Sequence, residues 1–293
     1  MESSATNKHI VNAGIYLNEA IKELSKANWF FNRINKSKAI NSYIKAGESY
    51  ALANDYTQSA EAYLSGLTVI FGSQELPLDY TMCMLMIQYV ELCNRAKIPV
   101  DNGSLVGLEA KIIPYLQEIK SYNLIINIYE TIALNYEIVG MDEQAIKYYQ
   151  RAMNYADAKN MKSLLIKFLT KTADINIKNG KNIMASANYR TCAEIVQSSD
   201  LLKSNVKIWL LYSLILKIQT STEEQMRTKI IECTNLDPKF AGSPEHVLIN
   251  GLVEAYKVKD IGFINKVIVN NLPYFDTNII KVLAQIKTSL ATE

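Results

Sequence analysis

The sequence predicts an all-α chain, and three observations carry that prediction. Six prolines and eleven glycines in 293 residues are about half the usual combined frequency, too few for the turn-dense chains of sandwiches and barrels. Apolar residues recur at helical spacing almost throughout. Near the start Ile10, Gly14, Leu17, Ile21 and Leu24 alternate steps of four and three, one narrow stripe along a helix of about 20 residues that needs a neighbouring helix. The interruptions leave segments of about 11 to 20 residues, roughly fourteen of them, which is the usual helix length.

In chain order the breaks fall at Asn54-Asp55, 72–77, 99–103, Lys120-Ser121, Gly140, Asn179-Gly180, 198–200 and 238–244. Two helix starts carry cap chemistry. Ser221-Thr222-Glu223-Glu224 reads as a capping box, and Ser243-Pro244 puts a hydroxyl at the N-cap and proline at the first helical position, where its missing N–H costs nothing.

Between the breaks the chain repeats itself. Tyr129-x2-Ile132-Ala133-x2-Tyr136 followed by Ala145-x3-Tyr149 matches the tetratricopeptide pattern of two interlocked antiparallel helices. Small Ala133 and Ala145 allow the helices to cross closely, Gly140 makes the turn, and the tyrosines fill the gap to the next pair. A second copy reads Tyr43-x2-Ala46-Gly47-x2-Tyr50 then Ser59-x3-Tyr63. A weaker third reads Leu169-x2-Thr172-Ala173-x2-Asn176 then Ala185-x3-Tyr189. The copies are not offset by multiples of one repeat length, so the expectation is an irregular solenoid over 1–235, its hairpins stacked into a right-handed twisted sheet, with a C-terminal helical bundle over 236–293.

Charge and chemistry-bearing residues exclude several function classes. With 31 Lys+Arg against 29 Asp+Glu no global basic field points to nucleic acid, so any charged partner is met locally. Cys83, Cys93, Cys192 and Cys233 show no C-x-x-C, and His9 and His246 are the only histidines, which argues against zinc and favours reduced core thiols. No phosphate loop or G-x-S-x-G elbow occurs, and Glu223/Glu224 read as macrodipole compensation at a helix start. The expectation is no catalytic residue, metal or cofactor, and not an enzyme. The N-terminus lacks a signal-peptide layout and no apolar run approaches 18 residues, so a cytoplasmic chain is expected.

Both ends of the chain resemble one family. Asn28-Trp29-Phe30-Phe31 ahead of the Tyr43 hairpin, and Pro238-x-Phe240-x2-Ser243-x-Glu245-x2-Leu248-x3-Leu252-x-Glu254-Ala255 near the other end, resemble the soluble NSF attachment proteins (SNAPs), which bring the NSF ATPase to assembled SNARE bundles. The resemblance runs from about residue 7 to 290. It implies a peripheral membrane contact through Trp29, Phe30, Phe31 and Ile34 in a loop at about 28–37, where aromatics suit the interface and nearby Lys and Arg favour anionic lipid. It implies SNARE binding by Lys162, Lys167, Leu201, Lys203 and Lys207, the first two within a segment rich in lysine, 159–181; a further basic position of the family is Asn127 here. By helical geometry Lys167, Lys171 and Lys178 share a stripe, and Lys162 lies off it.

The resemblance also implies an ATPase contact near the C-terminus, through Leu290 and Glu293. Ile279, Leu283, Ile286 and Leu290 form the helix stripe, but most of the family's acidic tail is missing, so reduced stimulation of NSF is expected. The alternatives are a general tetratricopeptide scaffold that captures a peptide tail, and a SNAP mimic that interferes with SNARE recycling. The clamp version of the scaffold would want Lys and Asn where Glu130 and Leu134 stand.

Overall fold

Among the described residues every regular element is helical. The computed structural model describes residues 2–26, 32–74, 76, 79–196 and 205–292; Trp29, Phe30, Phe31, Leu201, Lys203 and Glu293 lie outside them. The chain divides into two compact units, Met1–Tyr155 and Ala156–Glu293.

In the first unit α1 (Glu2–Ser25), α2 (Asn32–Leu52), α3 (Tyr56–Gly72) and α4 (Tyr80–Ala96) pack each against the next. Asp55 and Asp79 cap α3 and α4, accepting from the backbone N–H of Gln58 and Met82. Next come α5 (Asn102–Gly107), a π-turn (Leu108–Ile112) and α6 (Ile113–Glu118) without a break. The wide turn immediately precedes Pro114, which has no N–H to give the Ala110 carbonyl. The hairpin of α7 (Tyr122–Ile138) and α8 (Asp142–Ala158) follows, the last turn of α8 running past the boundary between the units. The second unit holds α9 (Lys162–Lys178), α10 (Asn182–Val196), α11 (Val206–Ile215), α12 (Glu223–Leu236), α13 (Pro244–Lys257), α14 (Ile261–Asn271) and α15 (Thr277–Thr292).

The tetratricopeptide-like pairing holds at the residue level. Ala46, Ala133 and Ala173 on the first helices, and Ser59, Ala145 and Ala185 on the second, are all fully buried. At the α2/α3 crossing the Ser59 hydroxyl donates to the Gly47 carbonyl at 2.7 Å. A Cβ on Gly47 would stand 2.4 Å from the Tyr63 ring.

Two local expectations are corrected. The cap of α12 is Thr222, reciprocated by Gln225, one residue later than the Ser221–Glu224 pairing, because the helix starts at Glu223 and the hydroxyl that reaches the N3 amide is that of the residue directly before it. Two further breaks, at Asn160 and Lys259, carry neither glycine nor proline; both residues take left-handed backbone, with φ of 55° each.

Candidate partner-binding surfaces

Lys162 and Lys207 both lie in the first turn of a helix. Lys162 opens α9 behind Met161, Lys207 is second in α11 behind Asn205, and neither start has a side-chain cap or an acidic residue in its first turn. Lysine at that end adds to the positive macrodipole instead of offsetting it. Lys207 is also the only charged residue of α11, whose remaining residues from Trp209 to Ile215 are buried. Lys207 is itself half-buried.

Lys167 is exposed, its Nζ 5.9 Å from the Phe168 ring centroid. Lys162 and Lys167 lie about 140° apart around α9, so one helix face does not carry both. Asn127 is exposed on α7.

The Lys167, Lys171, Lys178 stripe contains Asp174 at the same angular position, and the structure turns that carboxylate inward. Its Oδ1 accepts from Asn278 Nδ2 at 3.1 Å and from the Tyr189 hydroxyl at 3.4 Å. Beside it the Tyr212 hydroxyl accepts from the Asp276 amide at 2.9 Å, and the Tyr189, Tyr212 and Phe275 rings meet edge to face. Burial raises the Asp174 pKa above the usual carboxylate range; the Asn278 bond opposes that shift, Asp276 adds to it and Lys171 opposes it. This part of the lysine stripe therefore docks the C-terminal helix against α9 and α10.

The other expected sites are placed unequally. Ile34, in the first turn of α2, is 55 % exposed. Nearby, Asn35 Nδ2 donates to the Lys26 carbonyl at 3.0 Å. Lys36 Nζ donates to Ser73 Oγ at 3.1 Å and Lys111 Nζ to the Ser73 carbonyl at 2.7 Å, so two lysines close the C-terminal end of α3. Leu290 is buried at 5 % exposure with Ile279, Val282, Leu283 and Ile286; it holds α15 to the rest of its unit.

A further cluster carries no sequence motif. Arg151 pairs with Glu109 of the π-turn and sits 5.7 and 5.1 Å from the Tyr129 and Tyr148 ring centroids. The Tyr129 hydroxyl donates to Glu109 at 3.1 Å, and Tyr136 stacks on Tyr148 with centroids 5.5 Å apart. The thiols offer little nucleophilic character: burial pushes Cys83 and Cys192 up to about 12, and Cys93 and Cys233 up to about 11.

A family model described as soluble NSF attachment protein, SNAP, matches residues 111–291, more than half of the chain. The chain belongs to the SNAP family. No curated protein matches it. The SNAP match spans Lys162, Lys167, Lys207 and Leu290 and begins within the π-turn, after α1 to α4. SNAP-family proteins are non-enzymatic adaptors that associate peripherally with membranes. Among the described residues no helix is long and apolar enough to cross a membrane.

Proposed function

We propose that this SNAP-family chain is a non-enzymatic adaptor that binds assembled SNARE four-helix bundles and links them to an NSF-type ATPase, for disassembly after membrane fusion in vesicle transport. The family match over residues 111–291 carries the reading. Lys162 and Lys207, at helix starts without an acidic residue, support it by presenting positive charge that a partner's acidic surface would offset. Lys167, and Lys203 and Leu201 in the connection between α10 and α11, complete the proposed SNARE-binding set. Long-range attraction of this kind raises the association rate and weakens with salt. Trp29, Phe30, Phe31 and Ile34 are the proposed membrane contact, which would concentrate the adaptor where SNARE bundles form. For the ATPase contact, Leu290 supports α15 from within, and Glu293 is the charge beyond it.

The test is capture of the purified chain on assembled SNARE bundle, with and without NSF and ATP. Saturable binding, recruitment of NSF and ATP-dependent release support the adaptor. Absence of binding to any assembled bundle favours the general scaffold.

A further inference from the structure

The two helices of the first hairpin present matching polar stripes to each other. Glu19, Lys22, Glu23 and Lys26 of the α1 side, and Lys38, Asn41, Ser42 and Lys45 of α2, both follow i, i+3, i+4, i+7 spacing, which places each set on one helix face. They line a single groove of about 400 Å³. Four ammonium groups meet two carboxylates there, and one carboxylate is engaged: Glu23 accepts from Lys26 at 3.0 Å. The Glu23 pKa is lowered by that hydrogen bond first, with Lys38 and Lys22 adding smaller electrostatic contributions. Lys45 reaches over the Tyr16 ring, Nζ 5.8 Å from its centroid. Lys22, Lys26, Lys38 and Lys45 are all exposed.

We propose that this groove receives the headgroup of a polyphosphorylated inositol lipid, with Lys22, Lys26 and Lys38 as the phosphate-binding residues and Lys45 flanking them. The groove keeps two positive charges beyond its own carboxylates, more than one monovalent headgroup offsets, and three donors on two helices suit phosphates spaced around a ring. The lipid, as against a free phosphate ester, follows from position. Along their helices Lys22 and Lys38 stand within roughly 10 Å of the residues joining α1 to α2, and Trp29-Phe30-Phe31 lie in that connection. The interfacial layer of a bilayer leaflet is about 5–8 Å thick, so a chain docked by this connection carries the lysines at headgroup depth. In that placement the proposal rests on the membrane contact proposed above. Ile21 and Ile34, one on each side of the connection, are 59 % and 55 % exposed.

The test compares phosphatidylcholine vesicles carrying phosphatidylinositol bisphosphate with vesicles brought to the same surface charge by phosphatidylserine. The full chain is expected to bind the former at least fivefold more tightly. The variant Lys22→Gln/Lys26→Gln/Lys38→Gln is expected to lose that preference; at roughly fivefold per lysine, its total loss on bisphosphate vesicles is of order a hundredfold. Lys38→Glu alone serves if the triple variant melts below the wild type. Equal binding to the two charge-matched vesicles, or a preference that survives the substitutions, overturns the proposal.

Titration with soluble inositol trisphosphate needs no membrane and separates the two readings. Saturable binding that is lost in the triple variant supports the groove, whereas the same binding with no vesicle preference makes the ligand a soluble inositol phosphate and overturns the lipid assignment. Phe30→Ser/Phe31→Ser tests the connection independently. Unchanged vesicle affinity in that variant removes the aromatic contact and leaves the groove's headgroup preference to stand or fall on the lysine variant.

Discussion

Adding one methyl group at two helical glycines of the first unit should move its stability in opposite directions. A Cβ on Gly14 of α1 meets nothing within 4 Å, so Gly14→Ala should return the ordinary gain for alanine over glycine within a helix, about 0.5–1 kcal/mol. Gly47→Ala carries the same gain, but its Cβ stands 2.4 Å from Tyr63 Cδ2 and Cε2 and 3.3 Å from the Ser59 carbonyl oxygen. Carbon atoms in contact prefer about 3.5–4.0 Å, so ring and helix must part by about 1 Å. Tyr63 is 6 % exposed and Ser59 fully buried, which leaves little room to move. Overpacking of this kind costs about 1–3 kcal/mol. Separation of the helices also strains the 2.7 Å bond from Ser59 Oγ to the Gly47 carbonyl, with about 1–3 kcal/mol more at stake if that hydroxyl is left unpaired. With that hydroxyl bond lost, the net is a destabilisation of at least about 1 kcal/mol, or a fall of about 2–4 °C or more in the melting of this unit. Denaturant and thermal melts followed by far-ultraviolet circular dichroism report it. In a Tyr63→Leu background, which removes the ring, Gly47→Ala should cost less than in the wild type. A Gly47→Ala protein as stable as Gly14→Ala would refute the close helix crossing.

Three further outcomes follow. With thiols raised to about 11–12 by burial, Cys83, Cys93, Cys192 and Cys233 should resist a thiol reagent such as dithionitrobenzoate at pH 8 and all react once unfolded; fast reaction in the folded protein would contradict their burial. Asp174 binds its proton more tightly folded than unfolded, so the second unit should lose stability as pH rises from the ordinary carboxylate value of about 4 through the raised one. Lys171, Asp276, Tyr189 and Tyr212 stand around it, and Asp174→Asn should flatten that part of the urea-midpoint profile; an identical profile would remove the assignment. Arg151→Ala should destabilise the first unit by about 1–2 kcal/mol through its two ring contacts, because the half-exposed ion pair with Glu109 is screened and contributes little. Arg151→Lys should fall between the two in the same melts, and a neutral Arg151→Ala would refute the stacking.

The hairpins were legible because their signal is local. Ala133 and Ala145, or Gly47 and Ser59, lie twelve residues apart across one turn, and small residues at fixed spacing leave few other ways to pack. Breaks with glycine, proline, the Asn54-Asp55 pair or a serine after the turn, as at Lys120-Ser121, were legible too. Those at Asn160 and Lys259 were not, because a residue in left-handed backbone leaves no distinctive composition when it is lysine, and one asparagine in a polar stretch is a weak signal. The Asp174 arrangement joins residues 104 apart, and the Glu109–Arg151 pair spans 42; neither separation appears in any periodicity. The same limit applies to the lysine stripe. Periodicity groups Asp174 with Lys167, Lys171 and Lys178, but only the packing of α15 shows that its carboxylate turns inward and docks a helix there.

The helix-start lysines and their neighbours are proposed to form an electrostatic SNARE-binding surface. Its most direct test is the affinity for assembled SNARE bundle as a function of ionic strength, for the wild type and for Lys162→Glu/Lys167→Glu/Lys203→Glu/Lys207→Glu. Glutamate in the first turns of α9 and α11 compensates the macrodipole where lysine opposes it, by about 0.3–1 kcal/mol each, and a thermal melt of the variant checks that the fold is kept. Weaker binding with a shallower salt dependence in a protein that keeps its fold is the result expected. Unchanged affinity and salt dependence would contradict the account and place these lysines away from the SNARE contact.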